Sequence, residues 1–174
     1  MKVLGRELSR GYLFIIKAIG LIIIWKIAYL QVIAPYTPIN RWLTQMVGVS
    51  TAGFFDWFGQ KSYFDGQFLF INDIQSVLVA DGCNGLELFA LFLGFLIISP
   101  GSFLGKFLYS LGGVLLIFLA NIIRVYLLGF NYLNNPSTFE FNHKYTYLGF
   151  VYLIIFTLWI LWIEVINKRK FIEA

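Results

Sequence analysis

Residues 12–33, YLFIIKAIGLIIIWKIAYLQVI, hold only two charged side chains, Lys17 and Lys26, in 22 positions. A stretch of roughly 20 mostly apolar residues is what a helix needs to cross a bilayer, where every backbone N–H and C=O must be satisfied inside the segment. Three more stretches have this character: LELFALFLGFLIIS (86–99), FLYSLGGVLLIFLANIIRVYLLGF (107–130) and YTYLGFVYLIIFTLWILWIEVI (145–166). The second of the four is short, and reaches spanning length only if its helix starts near Cys83 or Asn84, giving a span near 84–99. The first follows a basic start, is too long for the core of a signal peptide, and is followed by Pro35, which disfavours cleavage after Ala34; it reads as an uncleaved anchor.

The chain as a whole, 59% hydrophobic, 20% aromatic and 13% charged, lies far from the usage of soluble domains. The expected fold class is therefore all-α, a polytopic membrane helix bundle of about four spans forming one integral membrane domain over 1–174, with no linker or repeat dividing it. Basic residues gather at segment ends: Lys2, Arg6 and Arg10 before the first span, Lys106 between the second and third, and Lys168, Arg169 and Lys170 after the fourth. Their placement follows the positive-inside tendency rather than a nucleic-acid-binding pattern, so no nucleic-acid partner is expected. Both termini are expected in the cytoplasm, with 34–82 and 131–144 outside.

The first of these external segments has its own pattern. RWLTQMVGVSTAGFFDWFG (41–59) mixes aromatic and polar residues as a helix lying in the interface does. The turn signals Asp65-Gly66 and Asn72-Asp73 then separate short β-favouring runs, which predicts a small hairpin with strands near 67–71 and 75–80, able to take an extended peptide by strand addition.

One cysteine and one histidine, Cys83 and His143, leave no room for an internal disulfide, a cysteine-based zinc site or a histidine cluster. Cys83 stands in ADGCNGLELF, at the outer mouth of the second span. There Asp81 or Asn84 is expected to cap free amides, Asn84-x-x-Glu87 has the form of a capping box, and the helix dipole favours a thiolate. Arg124 lies seventeen residues after Phe107, about 25 Å along the third span and so at a similar depth. A charge at that depth calls for a partner; Asn121 shares its helical face, and Glu87 is the expected ion-pair partner. His143 precedes the fourth span on the same side. Cysteine with histidine makes a nucleophile and base pair, beside which an arginine can hold developing negative charge; together they suit acyl transfer. Lys17 can snorkel, whereas Lys26 needs the outer interface or a partner.

The order of these residues, DGCNGLE opening one helix, Asn121-Ile122-Ile123-Arg124 late in the next, and a histidine before the last, resembles the exosortase/archaeosortase family. The motifs cover about 80–166, and the short CNG form points to a short exosortase F-type member. The resemblance implies a membrane-embedded cysteine protease and transpeptidase of the bacterial cytoplasmic membrane. Its partner would be a membrane-anchored C-terminal sorting signal of secreted proteins, met within the lipid bilayer. Cys83 would be the nucleophile, His143 the general acid/base and Arg124 the thiolate or oxyanion stabiliser. An acceptor amine or water would resolve the thioester, with no metal or organic cofactor. Asn84 stands where many relatives have serine. Two other readings fit the same residues: a non-catalytic membrane assembly or transport protein with a structural network of Glu87, Arg124 and Asn121, and a thiol-dependent acyltransferase acting on a fatty acyl donor.

Overall fold

The computed structural model describes residues 12–166 with their side chains, together with the backbone of 2–3, 6–7, 10–11 and 167–172. The basic residues Lys2, Arg6, Arg10, Lys168, Arg169 and Lys170, on which the expected orientation rests, lie outside the fully described residues.

Helix α1 (Arg10–Ala28) runs on through a π turn, Tyr29–Ile33, into Ala34–Tyr36. The wider turn lies just ahead of Pro35, whose missing donor and bulky ring a regular turn accommodates poorly. The helix stops at Thr37, held extended at φ −123°, ψ 147° as a residue before proline prefers, here Pro38. Helix α2 (Ile39–Trp57) follows at once and buries Asn40, Leu43, Thr44, Val47, Gly48, Thr51, Ala52 and Phe55. That three-and-four spacing makes one continuous face, while Trp42 and Trp57 are exposed on the other. The helix expected over 41–59 is thus present.

Three antiparallel strands come next, β1 (Ser62–Phe64), β2 (Phe68–Ile71) and β3 (Ile74–Leu78), in the order β1-β2-β3. Asn72 and Asp73 join β2 to β3 with φ of 52° and 64°, the two left-handed residues a two-residue hairpin turn demands. The predicted hairpin is there, and β1 adds a third strand that its three residues were too short to announce. Its Tyr63 lies directly opposite Phe70, the rings stacked with centroids 4.7 Å apart. Leu69, Ile71, Val77 and Val79 from this region share one core with Val47 and Phe55 of α2 and with Val125 and Leu128 further along the chain. Segment 34–82 is therefore built into the bundle.

Helix α3 (Leu86–Ile98) has 13 residues, so about 20 Å of length, short of the roughly 30 Å apolar thickness of a bilayer. It does not start at Cys83 or Asn84: Asp81–Cys83 form a 3-10 turn and Gly85, at φ 87°, breaks the path before the helix begins. The expected span 84–99 is corrected accordingly to a short, apolar helix. Among the described residues, three helical stretches are long and apolar enough to cross a membrane, Tyr12–Tyr36, Phe103–Asn134 and Pro136–Ile166. Helix α4 (Phe103–Asn134), capped by the Ser102 hydroxyl accepting from the Gly105 amide at 3.2 Å, is longer at both ends than the apolar run that announced it. A 3-10 turn (Pro136–Thr138), a short helix (Phe139–Phe141) and a π turn (Asn142–Thr146) lead into α5 (Tyr147–Ile172). The stretch 131–144, expected outside, is hence largely helical. Phe89 and Phe92 of α3, Ile117 of α4, and Val151, Ile155 and Trp162 of α5 form a second core. The Phe92 ring lies against Gly113 so closely that a Cβ there would collide with it. A helical membrane bundle carrying a small sheet is the result.

Candidate active site

The cysteine loop is held by one amide side chain. Asn84 is fully buried; its Oδ1 accepts from the Leu86 amide at 2.9 Å, and its Nδ2 donates to the Asn40 Oδ1 at 3.1 Å and carbonyl at 3.3 Å. Asn40 in turn donates to the Tyr29 hydroxyl at 3.1 Å, so the loop is tied through α2 to the end of α1. The position needs both a donor and an acceptor, which an amide supplies in one rigid plane. Gly85 completes the turn: its left-handed φ is costly for other residues, and a Cβ would stand 3.4 Å from Asn121 Nδ2. The capping box does not form. Glu87 turns away, and the Asp81 side chain is exposed and caps nothing.

Cys83 is half-buried, and His143 and Arg124 meet it from two other segments. The sulfur lies 3.7 Å from His143 Nε2 and 4.0 Å from Arg124 Nη2. Asn121 spans the pair: its Nδ2 donates to the Cys83 carbonyl at 2.8 Å, and its Oδ1 accepts from Arg124 Nη1 at 3.4 Å. Arg124 is only 3% exposed, its Nε has no acceptor, and among the described residues no carboxylate lies within ion-pair distance of it. The expected Glu87–Arg124 ion pair is thus corrected: Glu87 pairs with Lys26 at 2.6 Å on the other side of α3. Helical direction explains the difference. Residues 83 and 87 share a helical face only if the helix includes both, and the break at Gly85 rotates Glu87 toward α1.

His143 is positioned by neighbours that the sequence alone did not single out. Its ring stacks on Phe139 with centroids 6.0 Å apart and planes 16° off parallel. The adjacent Asn142 donates to Asn131 Oδ1 at 3.1 Å, and Asn131 donates to the Thr138 hydroxyl at 2.9 Å, lacing the histidine turn onto α4. The signal for Asn131 was available: Asn121, Arg124 and Asn131 fall within one narrow stripe of a helix turning about 100° per residue. Asn40 had none, because its partner is 44 positions away. Among the described residues, no three His, Cys, Asp or Glu side chains gather in a metal-binding group.

The bundle and its buried polar cluster describe a membrane protein built around one thiol, reached by an imidazole and a guanidinium. The family model for transmembrane exosortase, of EpsH type, matches residues 2–162, and the chain belongs to that family. No curated protein and no solved structure matches it.

Proposed function

We propose that the chain is a cysteine protease and transpeptidase of a bacterial cytoplasmic membrane, a short exosortase of the F type. It would cleave a membrane-anchored C-terminal sorting signal of secreted proteins at the outer face. The observation that carries the reading is the convergence of Cys83, His143 and Arg124, with Sγ 3.7 Å from Nε2 and 4.0 Å from Nη2. His143 takes the thiol proton as sulfur attacks the scissile carbonyl, and Arg124 faces the negative charge that develops on sulfur and then on the carbonyl oxygen. A buried guanidinium with no carboxylate partner has unspent capacity for such an anion. As the tetrahedral intermediate collapses, the C–N bond breaks and His143 returns its proton to the leaving amine, the thioester remaining on Cys83. An acceptor amine or water then attacks the thioester, His143 takes its proton, and that proton ends on the released thiol.

Depth supports the same reading. With α3 about 20 Å long, a thiol just beyond its N-terminus sits short of the full apolar thickness measured from the opposite end of that helix. A substrate held by its own membrane helix brings its scissile bond to one fixed depth, so positioning supplies much of the advantage. The non-catalytic alternative is weakened because Glu87 belongs to Lys26 and not to the Arg124 cluster.

The test is processing of a membrane-anchored candidate substrate in cells carrying wild type, Cys83→Ala, His143→Ala or Arg124→Ala at matched membrane levels. Loss of the size shift with Cys83→Ala, and severe slowing with the other two, is expected. Processing that survives Cys83→Ala removes the nucleophile and the proposal with it. The mass of an adduct trapped on Cys83 separates peptide transfer from the acyltransferase reading, since a fatty acyl adduct would support the latter.

A further inference from the structure

On the side of α3 away from the thiol, α1 and α5 flank a cavity of about 440 Å³. Its floor is apolar: Phe14 meets Phe95 edge to face at 6.0 Å, and Phe95 stacks on Trp159 at 4.6 Å. Near its other end stand Trp25, Tyr152 and the Lys26–Glu87 ion pair, all lining the same space. Both charged side chains keep more than half their surface open, 55% and 56%, although they touch at 2.6 Å. The cavity thus couples a long hydrocarbon trough with adjacent positive and negative charges at one end.

Chemistry decides what fits. The trough follows α1 from Phe14 to Lys26, about 18 Å of helix, and its walls along that length are apolar, which suits an extended hydrocarbon chain. The paired opposite charges match a head group that itself carries both signs, and a primary ammonium can donate to Glu87 while a phosphate accepts from Lys26.

We propose that this cavity is a binding site for one acyl chain of a zwitterionic phospholipid with a primary ammonium, its phosphate on Lys26 and its ammonium on Glu87. The site lies one helical turn from the Cys83 loop and fills the gap between α1 and α5. It rests on the membrane character of the chain and not on the catalytic proposal, so it stands or falls independently of processing.

The test is reconstitution of the full chain into bilayers of equal parts phosphatidylethanolamine, phosphatidylcholine and phosphatidylglycerol, followed by gentle extraction and native mass spectrometry of the lipid that stays bound. Wild type is expected to retain one phosphatidylethanolamine in preference to the other two by roughly three- to tenfold, the range set by one charge-assisted hydrogen bond at a half-exposed site. Glu87→Gln leaves Lys26 as a lone cation and is expected to shift the retained lipid to phosphatidylglycerol, a change of preference that misfolding does not imitate. Ala90→Trp, which fills the trough, is expected to release the lipid while the chain keeps its gel-filtration profile. Retention in the proportions of the bath, an unchanged preference in Glu87→Gln, or displacement of the lipid from wild type by an added membrane-spanning peptide overturns the proposal, the last assigning the trough to a peptide.

Discussion

Asn121→Ala removes a side chain that bonds to both the cysteine loop and the arginine. It deletes a 2.8 Å donation to the Cys83 carbonyl and a 3.4 Å acceptance from Arg124 Nη1. Asn121 is 1% exposed, so water does not readily replace it. A buried acceptor left unmet costs about 1–3 kcal/mol in soluble proteins. Side-chain hydrogen bonds within membranes average only about 0.6 kcal/mol and reach about 1.7, because the unfolded chain in lipid also finds partners. Two bonds, one of them long, therefore sum to about 1–2 kcal/mol. At about 2–4 °C per kcal/mol for a chain of this size, the thermal midpoint is expected to fall by about 2–8 °C. The midpoint is read from the fraction of detergent-solubilised protein that still elutes as a monodisperse peak after heating. Alkylation of the single thiol by a maleimide reports the loop directly and is expected to change in rate as Cys83 loses its tether. Asn121→Asp keeps the shape and the acceptor facing Arg124 but sets a carboxylate oxygen against the Cys83 carbonyl in place of the donor, so the loop tether is lost while the guanidinium is drawn from sulfur, and both the midpoint and substrate processing are expected to fall. If Asn121→Ala leaves midpoint, alkylation rate and processing at wild-type values, the loop is held by something other than Asn121 and the reasoning fails.

Gly85→Ala forces a side chain into a left-handed backbone at φ 87° and toward Asn121; a cost of about 1–2 kcal/mol is expected, read as a lower thermal midpoint together with altered Cys83 alkylation. Asn131→Leu unlaces the histidine turn from α4, leaving Asn142 and Thr138 without their shared partner; processing is expected to fall toward that of His143→Ala while Cys83 alkylation remains. Asp65, outside the membrane-spanning helices, accepts from the backbone amides of Phe68 and Gln67, which hold its carboxyl below the usual carboxylate range. A depressed folded value means stability that is present above the ordinary carboxylate range and lost as pH falls through the folded value. Asp65→Asn is expected to flatten that acid limb in thermal scans at stepped pH, and an unchanged limb counts against the turn as its source.

The family and the plan of the fold were readable because both rest on local signals. Apolar run length marks a helix for lipid whatever it packs against, and Asn72-Asp73 turns a hairpin by its own backbone preference. Convergence of Cys83, Arg124 and His143 was legible for a related reason: each sits near the end of an apolar stretch, and such ends share a depth. Partner choice within that depth was not legible. Glu87 and Arg124 are opposite charges at similar height, yet Gly85 breaks the helix and sends the carboxylate to Lys26.

The sequence by itself determined that this chain is a helical membrane protein with a polar cluster around one thiol, because the cost of exposing backbone and charge to lipid is the same in any fold. Only the tertiary structure decided that α3 is too short to span, that Asn40 and Asn131 hold the two halves of the site, and that a charged trough opens behind it. Those outcomes depend on which faces meet across elements far apart in the chain, and a hydrogen bond or ion pair is made only between groups that packing brings within about 3 Å.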